Sequence, residues 1–147
     1  MTQILNTQTL GFNDDFYWST YLQAVGFTNE TNSENSFSLA NDAGNYYYTI
    51  LDSGSAHITL PKPMYGAVLK KLIEASGHPQ YYTKEGVTFV DCYMVSTFAN
   101  IDLMMNGVWL SVSPYDYVWD VYGDGETCIL LVTEHSYDFV ILGMPIY

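Results

Sequence analysis

The sequence is short of cationic side chains. It has no arginine and only four lysines, against sixteen aspartates and glutamates, and its formal net charge is −12. Binding to nucleic acid depends on cations that neutralise phosphates, and a surface with this charge repels a polyanion. We therefore expect neither nucleic acid nor an anionic membrane as a partner. The acidic excess is typical of a solvated surface, and it also suits a protein that works in acid, where many carboxylates are neutral.

Long apolar runs are also missing. No run approaches the roughly 20 residues that a membrane helix needs, so we expect no membrane insertion. The N-terminus lacks the basic stretch and apolar core of a secretory signal. Hydrophobic residues still make up 48% of the chain and charged residues only 14%, a composition that argues against disorder. With 147 residues and no internal repeat, the chain has the size of one globular domain.

Metal-ligand patterns are scarce as well. Cys92 and Cys128 are the two cysteines, and neither lies in a CxxC or Cys/His spacing. The pattern allows either one disulfide or two buried thiols. Residues 120–126 resemble a calcium loop, but Tyr122 occupies an expected ligand position and Leu131 replaces the distal glutamate. We interpret this segment as an acidic turn, and we expect no metal and no organic cofactor.

Periodicity and turn residues predict a mostly β chain with one helix. Helical spacing of apolar residues is clear only in residues 64–76, and Gly77 follows as a stop. The dipeptide Asn106-Gly107 between two apolar runs predicts a type I′ hairpin turn. Residues 1–15 are polar and aperiodic, and we interpret them as a leader or connecting segment. Strands are predicted over residues 16–27, 46–51, 87–96, 99–112, 128–133 and 139–143.

One turn at a strand end combines residue types that can do chemistry. The strand predicted over residues 46–51 leads directly into Asp52-Ser53-Gly54-Ser55. By itself this composition is common in turns, because Asp and Ser side chains bond to neighbouring backbone groups and Gly accepts positive φ. A serine-hydrolase site formed by Ser53 or Ser55 with His57 is disfavoured, since residues two apart on a strand rarely make a nucleophile–base hydrogen bond.

The order of the elements resembles the C-terminal lobe of pepsin-like aspartic proteases. These enzymes carry two apolar residues and then Asp-Thr/Ser-Gly-Ser/Thr once in each lobe, and residues 50–55 resemble that pattern. Residues 101–117 resemble the family's hairpin, with apolar strands around Asn-Gly and then Pro and Tyr. Residues 140–143 resemble the apolar segment that packs against the active-site turn. The resemblance implies a single lobe of the pepsin-like acid protease fold over residues 16–147, with one short helix after the active-site turn.

The resemblance gives each residue of the turn a role. Asp52 is one of two carboxylates that share a proton, so that one activates water while the other polarises the peptide carbonyl. Ser53 directs its hydroxyl across the lobe interface, Gly54 lets the backbone approach, and Ser55 donates to the Asp52 carboxylate. The residues implied to pack beside the turn are Ile141, Leu142 and Gly143.

The same resemblance implies a disulfide bond and a cellular location. Cys92 and Cys128 lie on either side of the hairpin, as the cysteines of the family's C-terminal lobe do, so the resemblance implies that they are bonded. It also implies a secretory, lysosome-like or extracellular location, although no signal peptide is visible.

One aspartate is not enough for this chemistry. No second Asp-Ser/Thr-Gly occurs in the sequence, and the family's substrate-covering flap belongs to the other lobe. The chain stops at Tyr147, where the family continues through further strands, so we expect a domain truncated at its C-terminal end. We interpret the chain as half of an aspartic endopeptidase for peptide or protein substrates, inactive as an isolated lobe.

The missing half leaves three explanations open. The partner is the N-terminal lobe of the same protease, or a second protein chain such as another copy that supplies its own Asp52, or the site is a relic. The alternative function is a catalytically silent lobe that serves as a structural or peptide-binding subunit of an assembly.

Overall fold

The computed structural model describes residues 17–28, 37–38 and 46–147. The leader predicted for residues 1–15 and the domain boundary at residue 16 lie outside these ranges. The described chain is mostly β, with two sheets and one main helix, as the sequence predicts. None of its helices combines the length and the apolar character that crossing a bilayer requires.

The described residues form short strands, interrupted by a few helices. The strands are β1 (Trp18–Thr28), β2 (Phe37–Ser38), β3 (Tyr47–Leu51), β4 (Ile58–Pro61), β5 (Tyr81–Lys84), β6 (Val87–Asp91), β7 (Asn100–Met105), β8 (Val108–Val112), β9 (Val118–Asp120), β10 (Thr127–Leu130), β11 (Val132–His135) and β12 (Val140–Leu142). The α-helices are α1 (Lys62–Ala75) and α2 (Pro114–Tyr117), and two 3-10 helices cover Cys92–Thr97 and Met144–Ile146.

The larger sheet contains eight strands, in the order β11-β4-β12-β3-β1-β7-β8, with β2 paired to β1. β12 lies between β3 and β4, parallel to the former and antiparallel to the latter. Leu142 pairs with Leu51 on one side and with Ile58 on the other. Because residues 52–57 connect β3 to β4, the carboxyl end of β12 meets this connection directly.

The β7–β8 hairpin has the turn that the sequence predicts. Asn106 and Gly107 have φ values of 50° and 75°, and a type I′ turn requires a positive φ at both central positions. The strands pair from Ile101 opposite Val112 to Met105 opposite Val108. The Gly107 N–H also donates to the Gln23 side-chain oxygen at 2.8 Å, which connects the turn to β1.

The smaller sheet contains four strands in the order β5-β6-β10-β9. Cys92 begins the 3-10 helix after β6, and Cys128 lies in β10 beside it. The two residues form a disulfide, with their Cα atoms 4.9 Å apart. The implied pairing of the cysteines is therefore confirmed, and the bond closes the end of the smaller sheet.

The core lies between α1 and the sheets, and it includes a series of hydrogen-bonded polar groups. Tyr117 is fully buried and donates its phenol hydrogen to the Ala99 carbonyl. The Ala99 N–H donates to the Ser76 hydroxyl at 3.0 Å. Burial raises the pKa of Tyr117 far above the usual 10.0 of a phenol. The buried residues of α1 are Met64, Tyr65, Val68, Leu69, Leu72, Ile73 and Ala75.

Two predicted strands differ from the structure. Residues 87–96 were expected to form one strand, but β6 ends at Asp91, opposite Thr127 of β10, and a 3-10 helix follows. The run predicted over residues 128–133 divides at Leu131. Its N–H donates to the Tyr117 carbonyl at 2.7 Å and its carbonyl accepts from the Ile58 N–H at 2.8 Å, so the chain passes there from the smaller sheet to the larger one.

Candidate active site

Asp52 lies where β3 ends, in a turn whose backbone fixes both its main chain and its carboxylate. The Asp52 N–H donates to the Leu142 carbonyl of β12 at 2.9 Å, and the Asp52 carbonyl accepts from the Ser55 N–H at 3.0 Å. The Gly54 N–H donates to Oδ1 of Asp52 at 2.9 Å. These bonds orient the carboxylate while leaving it partly exposed to solvent.

Gly54 and Gly143 are positions where a side chain would disturb this arrangement. A Cβ on Gly54 would lie 3.1 Å from Oδ1 of Asp52, which is tighter than ordinary van der Waals contact. A Cβ on Gly143 would overlap the backbone carbonyls of Ser55 and His57. The Gly143 N–H instead donates to the His57 carbonyl at 3.0 Å. The segment after β12 therefore packs backbone to backbone against the turn.

The serines of the turn face different surroundings. Ser53 is exposed at the tip of the turn. The Ser55 hydroxyl contacts the backbone of His57, accepting from its N–H at 3.4 Å and donating to its carbonyl at 3.5 Å. The resemblance implies a hydrogen bond from the Ser55 hydroxyl to the Asp52 carboxylate. In the structure the Gly54 N–H donates to this carboxylate instead. Since Ser55 contacts the His57 backbone and not its ring, this geometry is also not that of a serine nucleophile with its base.

The predicted packing residues lie beside the turn. Ile141 pairs with Ile50 of β3 and with Thr59 of β4, and Leu142 is fully buried next to it. The Met144 N–H donates to the Ser55 carbonyl at 2.8 Å, so the 3-10 helix that follows β12 is attached to the turn as well. The site thus depends on strands that are about 90 residues apart in the chain.

Exposed large apolar residues lie on the segments that are paired or bonded to the turn and to the strand before it. Trp18 pairs with Leu51, the residue before Asp52, and 72% of its surface is exposed. Met144 and Tyr147, on the segment attached to the turn, are 57% and 68% exposed. Such side chains rarely cluster on a free surface unless it meets another molecule. Neither Met144 nor Tyr147 was predicted from the sequence to belong to the site.

Tyr147 is also coupled electrostatically to the site. Partial burial and, secondly, the negative charge of Asp52 raise the pKa of Tyr147 above its usual 10.0. The Tyr147 N–H donates to the Met144 carbonyl at 3.1 Å, which orders the residue next to the turn. The sequence offered no signal for this proximity, because it depends on the position of β12 in the sheet.

The acidic segment of residues 120–126 forms a turn stabilised by its own backbone. Asp120 accepts from the Gly123 and Gly125 N–H groups at 2.7 and 2.9 Å. Asp124 accepts from the Glu126 and Thr127 N–H groups at 2.8 and 3.2 Å. Within the described ranges, no three His, Cys, Asp or Glu side chains are grouped as metal ligands.

Comparison with known proteins gives one family. The model of the family described as eukaryotic aspartyl protease matches residues 5–145, nearly the whole chain. A search of curated proteins found no match.

Proposed function

The chain belongs to the eukaryotic aspartyl protease family, and from that premise we propose that it is one lobe of an aspartic endopeptidase in which Asp52 is one of the two catalytic carboxylates. The observation that supports this most is the Asp52 turn itself. Its carboxylate is partly exposed and receives the Gly54 N–H, while β12 and Gly143 fix the backbone behind it. A turn needed only to reverse the chain would not require a glycine packed against two carbonyls.

Hydrolysis by a carboxylate pair follows from one shared proton. The ionised carboxylate accepts a proton from water as the water oxygen bonds to the peptide carbonyl carbon. The protonated carboxylic acid donates its proton to the carbonyl oxygen, which gives a neutral tetrahedral diol. The carboxyl group that took the proton from water then donates it to the nitrogen as the C–N bond breaks, and the other carboxylate accepts a proton from a diol hydroxyl, which leaves a carboxylic acid and an amine. Asp52 supplies one of these groups, and the Gly54 N–H keeps the carboxylate oriented during both steps.

The second carboxylate comes from another lobe. Asp52 is the only aspartate in the sequence that is followed by Ser-Gly or Thr-Gly. The exposed apolar side chains beside the turn, Trp18, Met144 and Tyr147, form the kind of surface that a partner covers. We propose that the partner is the N-terminal lobe of the same protease, and that a second copy of this chain or an unrelated protein is the less favoured occupant.

A secretory or lysosomal location belongs to the same proposal. Members of this family are typically secreted or lysosomal. The Cys92–Cys128 disulfide supports this location, because such bonds persist mainly in oxidising compartments. An acidic compartment would also supply the pH at which a carboxylate pair holds one proton.

The test is proteolysis by the assembled particle. The tagged chain is isolated with its partner from expressing cells, and cleavage of a denatured protein substrate is followed between pH 3 and pH 7. We expect cleavage in acid that falls at least about 100-fold in Asp52→Asn, because the dyad loses a carboxylate. The exposed Asp116, which lies in α2 and is not part of the Asp52 turn, provides the control Asp116→Asn, which should keep full activity.

Two results distinguish the alternatives. Equal cleavage by the Asp52→Asn and wild-type particles would reject a catalytic role for Asp52. An assembly of unchanged mass with no proteolysis in either form would instead support the silent structural or peptide-binding lobe.

A further inference from the structure

The smaller sheet exposes a row of apolar side chains on the face turned away from the core. Tyr82, Phe89, Ile129 and Trp119 lie directly opposite one another across β5, β6, β10 and β9. We call these four residues the aromatic row. Tyr82 and Trp119 are 58% and 57% exposed, whereas the alternate residues of the central strands, such as Val90 and Leu130, are buried.

The aromatic row has a flat and ordered end. The rings of Tyr82 and Phe89 stack with their centroids 4.9 Å apart and their planes inclined by only 6°. Stacked rings present π faces and edges without needing to reorder when a ligand arrives, which lowers the entropic cost of binding. This end of the row is therefore suited to a group that interacts with an aromatic face.

A groove of about 180 Å³ adjoins the stacked rings. Tyr81, Tyr82, Phe89 and Val90 form its apolar part, and Gln80, Asp91 and Thr127 form its polar part. Asp91 lies two residues after Phe89 on the same face of β6 and opposite Thr127. Its side chain is exposed and makes no capping hydrogen bond to the 3-10 helix that follows. The groove thus combines aromatic rings with an available carboxylate.

The surroundings of the groove favour a positive ligand. The acidic turn of residues 120–126 leads into Thr127 at the same end of the sheet. Hydrogen bonds from the Glu126 and Thr127 N–H groups lower the pKa of Asp124, so its negative charge persists in mild acid. Lys84 is the only cation in the four strands, and it pairs with Val87 at the opposite end of β6 from Asp91.

We propose that the aromatic row and its groove bind a basic segment of a partner protein, with a Lys or Arg side chain placed between the Tyr82 ring and the Asp91 carboxylate. A cation over an aromatic face is attracted by the ring quadrupole, and the carboxylate adds a charged hydrogen bond. The remaining residues of the row, Ile129 and Trp119, contact the apolar parts of the same segment. This site is separate from the Asp52 turn, and its occupation does not depend on catalysis.

The charge of the chain indicates that the occupant of this site is a different protein. The chain has no arginine, and three of its four lysines, Lys62, Lys70 and Lys71, lie in α1, where they form ion pairs with Glu134 or Glu74. Residues 1–16, 29–36 and 39–45 contain no Lys or Arg. A second copy of a chain with net charge −12 would be repelled. A basic partner therefore fits this face better than any segment of the chain itself.

The probe is an acetylated and amidated peptide, Gly-Lys-Gly-Lys-Gly-Lys-Gly, titrated into the 147-residue chain. Calorimetry at low salt gives the affinity, and amide NMR shifts locate the site. We expect the shifts at Tyr82, Phe89, Asp91 and Thr127, and a loss of affinity of about three- to fivefold in Tyr82→Leu and in Asp91→Asn. The exposed controls Tyr115→Leu and Asp138→Asn should change affinity by less than about twofold.

Four outcomes would overturn the proposal. Equal losses in Asp91→Asn and Asp138→Asn would mean attraction by net charge alone. Equal binding of a peptide with norleucine in place of lysine would mean that the face takes apolar segments without regard to charge. Absence of binding at millimolar peptide, or self-association of the chain through Trp119, would assign the face another role. Asp52→Asn should leave peptide affinity unchanged, so failure of this proposal is distinguishable from failure of the proteolytic one.

Discussion

Gly143 illustrates how one missing side chain determines the geometry of the site. Its backbone lies so close to Ser55 and His57 that a Cβ would overlap both carbonyls, and its φ of −97° is one that any residue adopts. The requirement for glycine therefore arises from close approach and not from backbone conformation. The identity of Gly143 was visible in the sequence, but its reason was not, because the contacting residues belong to a connection far away in the chain.

Gly143→Ala should destabilise the fold by roughly 1–3 kcal/mol, because β12 must move away from the Asp52 turn. Gly66→Ala is the matched control, since Gly66 is exposed in α1 and its Cβ would meet nothing within 4 Å. We expect the control to gain about 0.5–1 kcal/mol from helix propensity. Urea denaturation measures both. Equal stability of the two variants would contradict the close packing of Gly143.

Tyr117 should make the fold sensitive to alkali. Its folded-state pKa is raised by burial, whereas the unfolded phenol titrates near 10.0. The folded state therefore retains the proton that the unfolded state loses, so the contribution to stability is complete below about pH 10 and declines as the pH rises further. Tyr117→Phe should remove part of this decline, and should cost about 1 kcal/mol at neutral pH through loss of the bond to Ala99.

Tyr115→Phe provides the control for this measurement. Tyr115 is 69% exposed, so its replacement should leave the alkaline decline in stability unchanged. The free energy of unfolding is measured between pH 8 and pH 11.5. If Tyr117→Phe and wild type lose stability in parallel, the buried phenol is not responsible.

At the scale of elements, the sequence predicts what is local and misses what is distant. The helix expected over residues 64–76 is α1, and the Asn106-Gly107 turn joins β7 and β8. β5 was missed, because all its residues are exposed and it has no alternation of apolar and polar positions. Hydrophobic periodicity could not predict that β12 inserts between β3 and β4, because periodicity indicates secondary structure and not which strands pair.

The strand predicted over residues 87–96 was wrong in its second half, where a 3-10 helix forms. An apolar run does not distinguish an extended segment from a helical turn. Cys92 is fixed by its disulfide to Cys128 and by its N–H bond to the Glu126 carbonyl at 3.0 Å, and the chain then turns. The resemblance implied the pairing of the cysteines, but not the 3-10 helix that begins there.

Removing the disulfide should weaken the smaller sheet most. The bond joins residues 36 apart in sequence, and the chain-entropy model gives about 3–4 kcal/mol for a loop of this length. Cys92→Ser combined with Cys128→Ser should lower the free energy of unfolding by about that amount. Amide exchange should rise more in β6 and β10 than in β1. The mass of the unfolded wild type, measured by mass spectrometry, should increase by about 2 Da on reduction, and an unchanged mass would show free thiols.

At the scale of the whole molecule, this lobe presents two surfaces with different chemistry. The surface near the Asp52 turn includes the exposed side chains of Trp18, Met144 and Tyr147, and it suits a permanent partner lobe. The aromatic row on the smaller sheet is bordered by carboxylates, and it suits a basic partner. The fold class could be predicted from the sequence, whereas these surfaces depend on residues brought together by strand order.

The central claim is that Asp52 is one carboxylate of a pair that another lobe completes. Titration of the purified assembly with a statine-type transition-state mimic tests it most directly, because tight binding requires both carboxylates. We predict one tightly bound inhibitor per completed pair, at least about 100-fold weaker binding after Asp52→Asn with the particle mass unchanged, and no tight binding by the 16.6 kDa monomer. Tight binding by the monomer, or by the Asp52→Asn assembly, would contradict the account.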